Sequence, residues 1–316
     1  SRMVLTGTWN GRRPSWQRDW RPNGQGLLAP PTPTWPGEPR TIRRLVVGLL
    51  TYNNEPAQLR SCLRALDQAI QTLGSRCSVT VLVLDNGSSS MEALADWQQL
   101  RWLEAVGNCG FGGGHNRLME CAFSEGADAY VAMNPDGRAH PRLLEALSNC
   151  SNSFGGGAVV EALQFPCEHP KPFDPHHGET PWASGACLLI PRAVHQRIGG
   201  FDETFFMYCE DVDLSWRARA AGFRVVTAPQ ALFLHQVTNR EPNPLRHALM
   251  LAAGRQLGLK WGRRDFAMAA NWKLQQLGAM AHQLPPQTQA KPAAVPRCDR
   301  WASSFGHAFS FSRPRW

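Results

Sequence analysis

The chain has 316 residues, 43% of them hydrophobic, enough to bury a substantial core as one large domain or two small ones. No apolar run approaches the roughly 18 residues of a membrane-crossing helix, and the first residues lack the apolar stretch of a secretion signal. The net charge of +8 is confined to the two ends, and the neutral body has no basic, aromatic-interleaved stripe, which excludes nucleic acid as a partner.

In chain order, residues 1–40 carry six Arg against Asp19 and Glu38 and are rich in Pro and Trp, without periodicity. The same composition returns over 286–316. Both read as solvated tails, with peripheral contact to an anionic membrane as the sharper alternative, because Arg with Trp suits an interface. The nine cysteines are scattered and form no CxxC pair, which points to a reducing cytoplasm and away from a zinc site.

Leu45–Leu50 (LVVGLL) is the apolar run of a buried parallel strand, ending in Thr51-Tyr52-Asn53-Asn54. A helical pattern follows through Leu59, Leu63 and Leu66. Val79–Leu84 is a second strand, closing on Asp85-Asn86-Gly87-Ser88, and Arg101–Val106 is a weaker third. A glycine-rich loop (Gly110-Phe111-Gly112-Gly113-Gly114-His115-Asn116) leads into another helix. Its spacing and its place after the third strand disfavour a dinucleotide fingerprint. Ala127–Met133 is a further strand, ending at Asn134-Pro135-Asp136-Gly137, with a helix from Pro141. This alternation predicts a doubly wound, mostly parallel α/β sheet whose ligands gather where strands end.

Leu163–Pro181 reads as a long loop, and its His169, His176 and His177 as polar loop residues without metal-ligand spacing. The apolar run Ala186–Ile190 stops at Pro191. Gly199-Gly200-Phe201-Asp202 turns the chain, and Phe205, Phe206 and Tyr208 lead into Glu210-Asp211-Val212-Asp213 at a helix start. Two short strand-like runs (223–227, 231–234) deliver His235. Pro244–Lys260 and Phe266–Leu284 read as amphipathic helices.

Taken singly, each polar residue has two readings. Asp136 is a turn residue or a ligand; Glu210, Asp211 and Asp213 favour a helix dipole or do chemistry; His235 is a satisfied core histidine or a ligand. Asp213 has Arg217 four residues on, and hence a structural explanation as a helix-surface ion pair, whereas Asp211 has no such partner.

The succession strand-TYN, strand-DNGS, glycine loop with Asn, strand-NPD, SGA-strand, GGFDE-FF-Y-EDVDL and strand-His closely resembles the inverting family-2 glycosyltransferases of the GT-A fold. The likeness is strongest to the rhamnosyltransferase-like branch that builds bacterial surface polysaccharides, and it covers roughly Arg44–His235. It implies a catalytic domain over 41–240, a helical segment over 241–285 and tails outside them. It implies transfer of a sugar, dTDP-L-rhamnose being the donor suggested, to a hydroxyl of a saccharide or polyprenyl-linked acceptor at the inner face of the membrane. Asp211 would be the general base, with Glu210 orienting it or the acceptor. Thr51, Tyr52, Asn53, Asp85, Gly110, Asn116, Asn134 and Asp136 would bind the nucleotide sugar, and Asp136 with His235 a divalent cation, Mn²⁺ or Mg²⁺. Trp182, Phe206 and Tyr208 are candidates for the acceptor side, with ordinary core packing as the competing reading for the Phe residues. Asn134 stands where the family's motif has an acid, which keeps a non-catalytic nucleotide-sugar-binding protein as the alternative.

Overall fold

A computed structural model describes residues 40–87, 100–104, 107–167, 169, 171, 174, 176–235, 243–278 and 284. The basic tails, Arg40 apart, lie outside these residues, as do Ser88 and part of the third predicted strand.

Eight strands form one sheet in the order β3-β2-β1-β4-β7-β6-β8-β5. They are β1 (Arg44–Thr51), β2 (Ser78–Asp85), β3 (Leu100–Leu103), β4 (Ala129–Met133), β5 (Gly137–Ala139), β6 (Ala158–Phe165), β7 (Cys187–Pro191) and β8 (Arg224–His235). All run the same way except β7, antiparallel to β4 and β6, and β5, antiparallel to β8. The carboxyl ends of β1, β2, β4, β6 and β8 therefore share one edge with the start of β7.

The sheet is covered on both faces, because successive strand residues point to opposite sides. Val47, Leu49, Val81 and Val83 pack with Leu59, Leu63 and Leu66 of α1 (Pro56–Leu73) and Leu143, Leu144 and Leu147 of α3 (Leu143–Ser153). Val46, Leu82 and Leu84 pack with Leu118 and Met119 of α2 (Gly110–Ser124), Val194 of α4 (Arg192–Ile198) and Leu214 and Ala218 of α5 (Glu210–Ala220). A third cluster joins Trp182, Phe205, Val212 and Trp216 to Leu257 of α6 (Pro244–Lys260) and Phe266 of α7 (Arg264–Gln276).

Four local expectations change. The glycine-rich run is the first turns of α2 and not a loop. Glycine disfavours a helix by about 1 kcal/mol each, but here close packing wins. A Cβ at Gly114 would lie 2.4 Å from Leu50 Cδ1, and one at Gly110 would lie 2.1 Å from the Phe206 carbonyl oxygen. The two runs before His235 are one strand. The β6–β8 register jumps between Ala162 and Leu163, and Pro229 and Gln230 fall in the irregularity. Leu163–Phe165 belong to β6, so the long loop starts later than expected. Gly137–Ala139 continue the Asn-Pro-Asp turn as a short strand.

Candidate active site

At the shared edge, Thr51 and Asp85 are register partners at the ends of β1 and β2, and both are buried. Thr51 Oγ1 donates to Asp85 Oδ1 at 3.2 Å. Tyr52 and Asn53 lie beside them, exposed, with Asn53 in the left-handed region (φ 51°) and the Tyr52 amide donating to Asn54 Oδ1. Asn86, which carried no expectation, binds the next element. Its Nδ2 donates to Asn108 Oδ1 and the Gly110 carbonyl, and its Oδ1 accepts the Cys109 amide.

At the opposite end of the sheet, beyond β4, β7 and β6, Gly137 of β5 faces His235 of β8, which brings Asp136 and His235 together. His235 Nε2 lies 3.1 Å from Asp136 Oδ1, and Nδ1 lies 2.9 Å from Gln164 Oε1 of β6. In the tautomer with Nδ1–H donating to the Gln164 carbonyl oxygen, the Nε2 lone pair lies on the Asp136 side. A 3.1 Å separation is that of two neighbouring ligands at roughly 2.1–2.2 Å from one six-coordinate ion. The pair therefore fits a divalent cation. Among the described residues no group of three or more His, Cys, Asp or Glu could hold a metal. Two protein ligands suit a cation that takes the rest of its shell from phosphate and water. Asn134 lies beside them, its amide donating to the Ala186 carbonyl at 2.9 Å.

The base candidate is held from the opposite side. Asp211 Oδ2 accepts the Gly185 amide at 2.9 Å, and Oδ1 accepts its neighbour Val212's amide at 2.8 Å. Burial raises the Asp211 carboxyl, and the two amides pull it back. Burial, with Asp211's charge beside it, holds Glu210 well above the usual carboxylate range. Of these two adjacent carboxyls, Glu210 is thus the harder to ionise and Asp211 the readier. Glu210 Oε2 and Trp182 Nε1 are buried and make no hydrogen bond among the described residues. Buried polar atoms of this kind call for a ligand or water. Tyr208 and Cys209, just before α5, both have left-handed backbones (φ 71° and 67°). Such conformations in non-glycine residues cluster at functional sites.

Several predicted residues have other employment. Asn116 Nδ2 donates to the Phe201 carbonyl and to Glu203, and its Oδ1 accepts the Phe201 amide at 2.7 Å. It braces the Gly200–Phe206 turn, and Gly200 is needed because a Cβ there would lie 2.1 Å from Asn116 Oδ1. Gly110 makes room for Phe206's carbonyl, which accepts the Phe111 amide. Trp182 and Phe205, candidates for the acceptor side, are buried in the third cluster. Phe206 and Tyr208 stay half-buried. Asp213 is no surface residue but fully buried. It accepts from Arg217, from Lys260 Nζ at 2.7 Å and from Trp261 Nε1 at 3.0 Å. Lys260 also pairs with Asp202. The carboxyl end of α6 thus locks the start of α5 to the Gly200–Phe206 turn. Sequence reading missed Gln164, Glu161 and Lys260, although Glu161 and Gln164 interrupt an otherwise apolar strand run, a signal of buried polar work.

A sequence profile described as "Glycosyltransferase like family 2" matches residues 160–261, from β6 through the Lys260–Trp261 lock. The match continues past His235, where the motif resemblance fades. The N-acetylglucosaminyl-diphospho-decaprenol L-rhamnosyltransferase of Mycobacterium tuberculosis is 29% identical, covering 63% of this chain and 78% of that protein. The Escherichia coli rhamnosyltransferase WbbL is 39% identical over a shorter stretch, 17% of this chain and 20% of it. A Pyrobaculum calidifontis mannosyltransferase solved with GDP-mannose and Mn²⁺ superposes with a TM-score of 0.54 at 16% identity, over 79% of this chain and 78% of that one. GalNAc-T7, solved with UDP, GalNAc and Mn²⁺, gives 0.54 at 10% identity, over 77% and 53%. No helix among the described residues is long and apolar enough to cross a membrane, and the eight described cysteines are free thiols. With strand-end acids on one edge of a curled, mostly parallel sheet, and with these relatives, the chain is a glycosyltransferase on the GT-A fold, similar over residues 160–261 to the family-2 enzymes.

Proposed function

We propose that the enzyme is metal-dependent and inverting, and moves a sugar from a nucleotide-diphosphate donor to a hydroxyl of a lipid-linked saccharide on the cytoplasmic side of a membrane. The first donor to test is dTDP-L-rhamnose. The observation that carries the reading is Asp136 and His235 at 3.1 Å with Gln164 on the far imidazole nitrogen. A divalent cation bound there would offset charge on the departing diphosphate as a Lewis acid.

The chain's own residues supply the remainder. Asp85, buried at the end of β2, is the acceptor for a pyrimidine N3–H, with Thr51 fixing its carboxylate and Tyr52 and Asn53 bordering the base. Asn134 offers an uncharged amide to the ribose or a phosphate. The acceptor oxygen forms its bond to the anomeric carbon as the carbon–oxygen bond to diphosphate breaks. The electron pair leaves on the diphosphate and the hydroxyl proton passes to Asp211. Attack opposite the leaving group inverts the anomeric centre. Glu210, its Oε2 without a hydrogen bond among the described residues, holds the acceptor beside Asp211.

The test is a thermal shift with UDP, dTDP, GDP and NAD, each with and without Mn²⁺. A ligand at a hundred times its dissociation constant adds roughly 2.7 kcal/mol. Stabilisation by dTDP that needs Mn²⁺ and disappears in Asp136→Ala is expected. The same Mn²⁺-dependent response in Asp136→Ala, or stabilisation by NAD alone, would overturn the reading.

A further inference from the structure

The segment Trp182–Ala186 lies between the two halves of the site, and every one of its residues is tied down. The Trp182 carbonyl accepts from Lys171 Nζ at 2.6 Å, and the Ala183 amide donates to Ser215 Oγ of α5 at 3.0 Å. The Ser184 amide donates to Glu161 Oε2 at 2.6 Å, and the Gly185 amide to Asp211 Oδ2. The Ala186 carbonyl accepts the Asn134 amide. One strap therefore holds the base on one side and the Asn-Pro-Asp turn on the other.

What holds the strap is a buried ion pair that has no part in the proposed chemistry. Lys171, from the loop after β6, and Glu161, on β6, are each about 5% exposed at the side chain and bonded to one another. Thr227 donates to the same Glu161 oxygen. Lys171 Nζ also stands 4.6 Å from the centre of the Trp182 ring. A cation and an anion this deep in a protein are costly to place, and keeping both suggests that they specify geometry. The pair also borders a cavity of ≈ 20 Å³ whose lining includes Gln164, the residue behind His235.

We propose that Lys171, paired with Glu161, is the positioning residue for the base: it sets both where Asp211 sits and how readily it ionises. This rests on the reading of Asp211 as the base. The positional half follows from the strap, since Lys171 grips its first carbonyl and Glu161 the amide just before the one that Asp211 accepts. The electrostatic half follows from the fields. Lys171 favours the ionised form of Asp211, and Glu161 opposes it. Among the described residues, Glu210 and Cys209, on or beside α5, also interact with Asp211, and Asp213 acts on both of them.

The experiment follows the Asp211 carboxyl carbon by ¹³C NMR against pH in the full-length chain, the signal being assigned by its loss in Asp211→Asn. Lys171→Met should move its titration to higher pH and Glu161→Gln to lower pH, each by about half a unit or more. The double variant should return it towards the parent. Opposite shifts separate a field from structural damage, which would lower the melting temperature of both variants and leave the titration in place. An unmoved titration in both variants overturns the proposal. If Lys171→Met does not fold, Glu161→Gln, which keeps an acceptor for the Ser184 amide, decides by itself. With dTDP-L-rhamnose and Mn²⁺, Lys171→Met should lose roughly ten- to a hundredfold in kcat while the donor KM holds. Normal turnover in Asp211→Asn would remove the base assignment. Lost turnover there, with the Asp211 titration unmoved in the two pair variants, would remove the positioning role alone.

Discussion

On the proposed donor side of the site, Thr51, Asp85, Asn134 and His235 stand at the ends of strands of one sheet, so backbone pairing places them all. On the acceptor side, Asp211 opens a helix that no strand pairs with. Its position depends on side chains reaching across the fold: Glu161 and Lys171 through the strap, and Lys260 and Trp261 through Asp213. The donor side is thus fixed by regular structure and can present exposed residues such as Tyr52. The acceptor side is fixed by buried charge, which is unforgiving of loss.

The sharpest way to separate the halves is Asp211→Asn. Turnover should fall roughly 10² to 10⁴-fold, while the Mn²⁺-dependent thermal shift by dTDP stays as in the parent; a lost shift would mean that the halves are not independent. Next, Lys260→Met leaves Asp213 and Asp202 without their ammonium. Urea unfolding should show a loss of about 3–5 kcal/mol. Stability near the parent's would show that α6 merely rests on α5.

Gln164→Leu tests the donor side in turn. Without an acceptor on Nδ1, Mn²⁺ affinity measured by titration calorimetry should weaken about 10- to 100-fold. The Asp211 titration should not move.

Glu210→Gln reports pH dependence. Burial holds the folded Glu210 carboxyl above its unfolded value, so its contribution is fully present below the ordinary carboxylate range. That contribution is lost as pH rises, because the folded state must then either keep a proton the unfolded chain releases or bury a charge. The variant should melt with the parent at pH 4 and above it at pH 8, in scans at both values. The smallest effect is that of Tyr52→Ala. The side chain is 49% exposed, so stability should stay within about 0.5 kcal/mol while the dTDP-induced shift shrinks.

Lys171 and Lys260 show why the acceptor side resists reading from sequence. Each is a lone lysine in an undistinguished context, the first in a loop and the second at a helix end, and nothing local marks either as buried. Asp213 misleads for a related reason. Its Arg217 partner is correctly anticipated at four residues' distance, but burial comes from α6, which the helix's own pattern does not contain. The glycine-rich run fails the same way, since the partners that make it a helix, Leu50 and Phe206, are remote in sequence.

By itself the sequence determined the alternation of strands and helices and the placing of Asp85, Asp136, Asp211 and His235 at strand and helix ends. Apolar periodicity and strand-end polarity are local properties, and the order of the motifs survives in one dimension. Only the tertiary structure decided that Asp136 and His235 meet at 3.1 Å, that Asn116 and Trp182 are taken up by packing, and that Glu161, Lys171 and Lys260 carry the acceptor half. The physical reason is that a buried charge must find its partner in space. The partners here lie 10, 47 and 58 residues apart along the chain.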